Sequence, residues 1–184
     1  MKVLAVIGSP RKQGDNAQIV RALVESAEQK GHQIRTVFVY DMNFKGCTAC
    51  DACKDGRVEF CAQDDDFTRL VPEIVGSDCI LLASPIYMGH ITGEMKTFID
   101  RWCCFFDDEF EVHHVMGKKI VLVTTSAAPA AQFSSVSKYM KDMFGGFFKM
   151  TPVGQIHAGG LYGPDHAASL AEAMESARAI GASL

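Results

Sequence analysis

Four cysteines close together are the residues of this sequence best suited to chemistry. Cys47, Cys50, Cys53 and Cys61 form a Cys-x2-Cys-x2-Cys-x7-Cys pattern. Thiolates are the ligands of iron–sulfur clusters, and closely spaced cysteines can supply three sulfurs to one [4Fe–4S] cluster while a fourth follows farther along. The same thiols could instead bind zinc, form reversible disulfides or stand unoccupied. The pattern therefore indicates cluster, metal or thiol redox chemistry.

A segment near the start of the chain offers a site for an anion. Residues 8–17 read Gly-Ser-Pro-Arg-Lys-Gln-Gly-Asp-Asn-Ala and contain neither a Walker lysine motif nor G-x-G-x-x-G. Where such a segment joins a strand to a helix, Ser9, Arg11, Asn16 and the free helix N–H groups can hold a monophosphate. Ordinary turn and capping roles are the alternative for these residue types.

A second loop contains residues that favour a rigid turn beside an aromatic side chain. In residues 83–93, Pro85 stands two positions before Tyr87 in a segment that also contains two glycines. Proline and glycine favour a defined turn, and such a turn beside an aromatic side chain suits a planar ring. Ser126, in the later run Thr-Thr-Ser-Ala-Ala, offers a hydroxyl and close backbone approach, although small residues are also common in ordinary turns.

Alternating elements are needed to position these loops. Apolar runs predict five strands, at residues 2–7, 33–39, 78–84, 118–125 and 152–157. Helical spacing predicts a first helix through Ala17, Val20, Leu23, Val24 and Ala27 that ends at Gly31, and further helices near 66–76, 92–104, 130–145 and 165–182. This order predicts one α/β domain over 1–184, with an irregular, cysteine-rich loop at about 40–65. Ligands of such sheets bind beyond the carboxyl ends of the strands.

Three motifs resemble one known family. Residues 8–16 read Gly-Ser-Pro-Arg-x-x-Gly-x-Asn, residues 84–89 read Ser-Pro-x-Tyr-x-Gly, and residues 93–101 read Gly-x-x-Lys-x-Phe-x-Asp-Arg. Together they resemble the NADPH-dependent FMN reductase and iron–sulfur flavoprotein family of the flavodoxin-like superfamily, over about residues 1–130. The resemblance implies a flavodoxin-like, doubly wound, five-stranded parallel sheet in the order 2-1-3-4-5, with helices on both faces.

The resemblance also implies FMN as cofactor and assigns residues to it. The first loop would wrap the FMN phosphate with Ser9, Arg11, Asn16 and Ala17, although the family usually has a small hydroxylated residue where this chain has Ala17. The flavin ring would contact Pro85, Ile86, Tyr87, Met88, Gly89 and Ser126. The cysteine pattern is similar to that of the iron–sulfur flavoproteins, in which a cluster lies near the FMN and passes electrons to it.

The implied function is that of an FMN-dependent oxidoreductase. Electrons would pass from NAD(P)H or a ferredoxin-like donor to a quinone, a flavin or another small acceptor. A cluster favours one-electron transfer, and its absence favours direct hydride transfer from NAD(P)H. The alternatives are a non-enzymatic, flavodoxin-like electron carrier and a structural or regulatory protein with a vacant pocket. Relatives in this family associate, so a homodimer or homotetramer is expected.

Composition excludes several other classes. The 184 residues are 48% hydrophobic and 22% charged with a net charge of −4, which provides no basic surface for nucleic acid or anionic membrane. No apolar run approaches the length of a membrane span, and the first run is too short for a signal peptide, so a cytoplasmic protein is expected.

The remaining cysteines and several charged residues are expected to have structural roles. Cys79, Cys103 and Cys104 are expected to be packing residues. Lys96, Asp100 and Arg101 are expected in salt bridges or at a subunit interface, and Asp64-Asp65-Asp66 as a helix cap.

Overall fold

A computed structural model describes residues 1–184 of the chain. The strands are β1 Lys2–Ile7, β2 Gln33–Phe38, β3 Cys79–Tyr87, β4 His90–Ile91, β5 Lys119–Thr125 and β6 Thr151–Ala158. The α-helices are α1 Asp15–Gln29, α2 Asp66–Gly76, α3 Gly93–Asp100, α4 Ser134–Lys141 and α5 His166–Ser183. Short 3-10 turns cover Val39–Asp41, Arg101–Phe105 and Ala130–Phe133, and a π-helical turn covers Asp142–Phe147.

The sheet has the predicted topology. Five parallel strands lie in the order β2-β1-β3-β5-β6, and β4 pairs only with the end of β3, in antiparallel fashion. With the two-residue β4 set aside, this is the predicted order 2-1-3-4-5, so the prediction of a flavodoxin-like sheet is confirmed. The order reverses between β1 and β3, which places the loops that follow these two strands side by side.

Each face of the sheet is covered by its own helices. On one face, Leu4 and Leu82 belong to a core that α2, α3 and α4 complete, with Trp102 at full burial. On the other face, Leu81 belongs to a core shared with α1 and α5. These two helices pack closely, since a Cβ atom on Gly181 would lie 2.2 Å from the carbonyl oxygen of Leu23. Burial on both faces explains why the central strands contain uninterrupted apolar runs rather than an alternating pattern.

The structure differs from the predicted elements at three places. The helix expected over 92–104 ends at Asp100 and continues as a 3-10 turn, and the helix expected over 130–145 is divided among 3-10, α and π turns. The strand expected to end at residue 84 continues to Tyr87, because it forms a hairpin with β4. None of the helices combines the length and apolar character needed to cross a membrane.

Candidate functional site

A cleft of about 390 Å³ lies at the carboxyl edge of the sheet. The loops after β1, β3, β5 and β6 supply its lining, which consists of Ser9, Arg11, Gly14, Asp15, Asn16, Pro85, Ile86, Tyr87, Thr125, Ser126, Ala127, Leu161 and Tyr162. The structure therefore brings together Ser9, Arg11, Asn16, Pro85, Ile86, Tyr87 and Ser126 from the residues predicted for FMN. It places Ala17, Met88 and Gly89 outside this lining.

The first turn of α1, rather than the loop before it, leaves its N–H groups open to an anion. The Ser9 hydroxyl accepts the Arg11 N–H at 3.2 Å, and the Gly14 N–H donates to the Arg11 carbonyl oxygen at 3.1 Å. Helix α1 then begins at Asp15 with no side chain capping its first turn. The free N–H groups of a helix N-terminus carry partial positive charge, so this end of the cleft favours a phosphate.

Asn16 carries an unsatisfied polar atom at the same end of the cleft. The residue is only 3% exposed, its Nδ2 donates to Thr125 Oγ1 at 3.3 Å, and its Oδ1 has no partner. Leaving such a group unpaired costs about 1–3 kcal/mol, so buried orphan atoms are rare. When the amide turns by 180°, the Thr125 hydroxyl donates to Oδ1 and Nδ2 becomes the free group. Asn16 can thereby supply a hydrogen-bond donor to a bound anion.

Thr92 joins the two loops that form the cleft. Its hydroxyl donates to the Gly8 carbonyl oxygen at 2.8 Å and accepts the Met95 N–H at 3.3 Å, while its own N–H donates to Ser84 Oγ at 3.0 Å. It is both the N-cap of α3 and a link between the ends of β1 and β3. Gly8 has no room for a side chain here, because a Cβ atom would lie 2.7 Å from Met95 Cβ.

Replacing Thr92 with Val is expected to lower the free energy of unfolding by about 1–2 kcal/mol, because the isosteric side chain loses both the cap and the bond to Gly8. Urea unfolding followed by circular dichroism measures the change. Thr92→Ser keeps the hydroxyl and is the matched control, expected to retain most of that stability. Equal stability of Thr92→Val and the wild type would contradict the assignment.

The β3–β4 hairpin forms an exposed rim of the cleft. Its turn has positive φ at Met88 (48°) and Gly89 (86°), as in type I′ hairpins, and the Met88 side chain is fully exposed. The left-handed backbone conformation is strained for methionine, and such strained residues are found more often at functional sites than elsewhere.

Tyr40 lies near this hairpin and has a perturbed pKa. Burial, a hydrogen bond to Glu94 and the charges of Glu94 and Tyr87 raise the pKa of Tyr40 to about 12. Tyr40, a group that the sequence did not single out, therefore keeps its proton to higher pH than an ordinary tyrosine.

A second cavity, of about 380 Å³, contains the cysteine cluster. All four predicted ligands line it: Cys47, Cys50, Cys53 and Cys61. Cys103 and Cys104 line it as well, which the sequence did not suggest, since they lie more than 40 positions farther along the chain. Cys104 is buried, as a packing residue should be, whereas Cys103 is exposed. Cys79 is buried within β3, and this burial raises the pKa of its thiol to about 11.

The donors of this cavity are thiols from two separate parts of the chain. No group of three or more metal-binding side chains of the protein is placed to hold a single metal ion. The thiols instead surround an open space, and thiolates are the ligands of iron–sulfur clusters. Burial, together with the neighbouring Cys61 and Cys47 thiols, raises the pKa of Cys53 against the opposing charge of Lys54. Lys54 also fastens the loop to the Phe106 carbonyl oxygen at 2.6 Å.

The charged residues after the cysteines behave as the sequence predicts. Asp65 caps α2 by accepting the Thr68 N–H at 3.2 Å. Lys96 pairs with Asp100 on the exposed face of α3, and Arg101 forms a buried ion pair with Asp65. Burial alone would raise the pKa of Asp65, but the hydrogen bonds from Arg101 and Thr68 outweigh it and hold the pKa below its usual range.

Known proteins share both sequence and fold with this chain. The family model for NADPH-dependent FMN reductase matches residues 1–161. An iron–sulfur flavoprotein of Methanosarcina thermophila is 36% identical over 101 residues, which are 55% of this chain and 52% of that protein. An FMN-dependent NADH:quinone oxidoreductase of Ralstonia nicotianae is 31% identical over 121 residues, 60% of this chain and 56% of that protein. The chain thus spans about half the length of the curated relatives it matches.

Solved structures agree over the whole chain. The NAD(P)H:quinone oxidoreductase from Methanothermobacter marburgensis superposes with a TM-score of 0.77 at 16% identity, covering 99% of this chain and 96% of that one. An azoreductase from Bacillus anthracis gives a TM-score of 0.76 at 17% identity, covering 100% of both chains. At 16–17% identity, these superpositions show a shared fold only. Membership of the family is shown by the family model, which matches residues 1–161. The chain belongs to the NADPH-dependent FMN reductase family.

Proposed function

We propose that this protein binds FMN in the cleft and a [4Fe–4S] cluster in the cysteine cavity. As an oxidoreductase it transfers electrons from NAD(P)H or a ferredoxin-like donor to a quinone, a flavin or another small acceptor. The observation that carries the proposal is the unsatisfied, buried amide of Asn16, in a cleft that the loops of an FMN reductase family member enclose. When bound, FMN supplies hydride and electron transfer and the cluster supplies one-electron transfer.

The protein's own residues bind and orient the cofactor. Ser9, Arg11, Asn16 and the first turn of α1 are assigned to the phosphate, and Pro85, Ile86, Tyr87 and Ser126, which line the same cleft, would flank the ring. The carboxylate of Asp15 also faces this cleft, where it would repel a phosphate. His166 Nε2 lies 2.9 Å from Asp15 Oδ1 and engages that carboxylate. No general acid or base is required, because the cofactor carries the chemistry.

One short helix separates the cleft from the cysteine cavity. At its start, Thr92 contacts the Gly8 carbonyl oxygen beside the phosphate loop, and at its end Arg101 contacts Cys61. Helix α3 has eight residues, so at a rise of about 1.5 Å per residue it is about 12 Å long. The two sites therefore lie within one small region of the fold, which supports electron exchange between them.

Association into a homodimer or homotetramer is part of the proposal. Large apolar or aromatic side chains stand exposed around the cleft, including Tyr87, Met88 and Tyr162, which is 82% exposed. Exposed apolar groups clustered beside a site are typical of surfaces that another molecule covers. A second subunit there would shield the flavin ring from water.

The test is an ultraviolet–visible spectrum of anaerobically purified protein, with FMN, iron, sulfide and zinc assayed on the same sample. We expect flavin bands, a broad absorption in the visible, and about four iron and four sulfide per chain. Flavin without iron would remove the cluster from the proposal and favour direct hydride transfer from NAD(P)H. Absence of flavin would overturn it. Turnover with NAD(P)H and a quinone separates an enzyme from a flavodoxin-like carrier.

A further inference from the structure

Arg101 is the most deeply buried charged side chain near the cysteine cavity. Its residue is 1% exposed, and it lies in the 3-10 turn that follows α3. The four terminal N–H groups of the guanidinium reach five acceptors, two of which share one N–H: the Lys45 carbonyl oxygen at 2.7 Å, Asp65 Oδ2 at 2.6 Å, Asp65 Oδ1 at 3.1 Å, Thr68 Oγ1 at 3.1 Å and Cys61 Sγ at 3.2 Å. Only its Nε lacks a partner.

These bonds hold the two ends of the cysteine loop together. Lys45 lies two positions before Cys47, and Asp65 lies four positions after Cys61. The loop between them has no regular secondary structure, and it includes the left-handed residues Ala49 and Asp51. One guanidinium therefore fixes where this irregular segment begins and ends. A lysine could not reach all of these acceptors, because its three N–H groups lie on one nitrogen rather than on a planar fork with two terminal nitrogens.

The bond to Cys61 differs from the others because it brings positive charge to a sulfur. A hydrogen bond from a charged donor is roughly twice as strong as a neutral one, and burial prevents water from screening it. Asp65 pairs with this charge through both of its oxygens, but the guanidinium NH2 group that bonds Asp65 Oδ1 also donates to the sulfur, so an N–H dipole is still directed at Cys61. The Phe67 ring lies against the other side of the guanidinium, 4.6 Å from its carbon, and keeps water out.

We propose that Arg101 is a positioning residue that orients Cys61 as a cluster ligand and stabilises the reduced form of the cluster. The inference rests on the proposed function, since it requires the cluster in this cavity. Reduction adds one electron, and thus one negative charge, to the cluster and its thiolates. A positive charge and an N–H group directed at one of these sulfurs favour that added charge and raise the reduction potential.

The experiment compares variants whose effects have opposite signs. Arg101→Gln removes the positive charge and is expected to lower the cluster's reduction potential, with an about tenfold change in the one-electron equilibrium, or about 59 mV. Asp65→Asn keeps a good N-cap but leaves the charge of Arg101 unbalanced, so it is expected to raise the potential. Arg101→Lys keeps the charge and loses the fork, so its potential is expected to lie between those of Arg101→Gln and the wild type.

Potentials are measured by anaerobic dye-mediated titration, monitored by electron paramagnetic resonance of the reduced cluster. The matched control is Arg69→Gln, which removes the same charge from the surface beside the end of the same loop, where Arg69 is bonded to Asp64 and Asp66. Its potential is expected to remain that of the wild type. Simple structural damage would move Asp65→Asn and Arg101→Gln in the same direction.

Each outcome of these measurements either supports or overturns the proposed role of Arg101. Opposite shifts in Asp65→Asn and Arg101→Gln support the inference, and if Arg101→Gln does not fold, Arg101→Lys and Asp65→Asn provide the same comparison. Unchanged potentials in loaded variants, or shifts in the same direction, overturn the role of Arg101 while leaving the proposed cluster intact. Iron and sulfide assays of the wild type distinguish this from failure of the proposed function, because a wild type without iron overturns both.

Discussion

The Asn16→Asp variant is expected to lose most of its affinity for FMN. The change replaces a buried amide, which can donate to the phosphate, with a carboxylate that can only repel it. A hydrogen bond to a charged group contributes about 1.5–3 kcal/mol, so its loss alone weakens binding about 10- to 100-fold, and repulsion adds to this. The Thr125 hydroxyl can donate to the new carboxylate, which preserves the contact seen at 3.3 Å.

The measurement is a titration of apoprotein with FMN, followed by quenching of flavin fluorescence. Gln13→Glu is the matched control, since it adds the same charge to the exposed outer side of the same loop. It is expected to bind FMN within about threefold of the wild type, because an exposed charge is screened by water and salt. Wild-type affinity in a folded Asn16→Asp protein would show that the phosphate lies elsewhere.

The sheet could be predicted from sequence because its signals are local. Each buried strand is an uninterrupted apolar run, and parallel strands covered on both faces show this pattern more plainly than alternating ones. The loops after β1 and β3 could be recognised for a similar reason, since the residues assigned to one function lie within a few positions of one another. The sequence placed Ser9, Arg11 and Asn16 in one segment, and the fold brought it beside Tyr87.

What the sequence left open depends on contacts between distant positions. Asn16 meets Thr125 across 109 positions, and Arg101 meets Lys45 across 56. Nothing in the local pattern distinguishes a buried arginine that bonds a cysteine from one in an ordinary surface ion pair. Cys103 likewise joins the cavity only because the 3-10 turn after α3 brings it there. Contacts between such distant residues depend on how whole helices and strands pack together, and the sequence of one segment alone does not determine that packing.

Replacing Cys50 with Ala is expected to reduce bound iron and sulfide to background while FMN remains bound. A [4Fe–4S] cluster needs its four thiolate ligands, so loss of one removes the anchoring of the whole group. Cys50 is exposed, and its carbonyl oxygen, rather than its sulfur, makes the loop contact to Arg57, so the change leaves no buried cavity and keeps that hydrogen bond. The cleft at the carboxyl edge of the sheet, where FMN is proposed to bind, shares no lining residue with the cysteine cavity.

Two further cysteines make this result specific. Cys79→Ala removes a buried thiol from β3, away from the cavity, and is expected to keep its full iron content. Cys103→Ala removes a thiol that lines the cavity but lies outside the four-cysteine pattern, and it too is expected to retain the cluster. Loss of iron in Cys103→Ala with retention in Cys50→Ala would mean that packing across the cavity, rather than the spacing of the loop cysteines, selects the ligands.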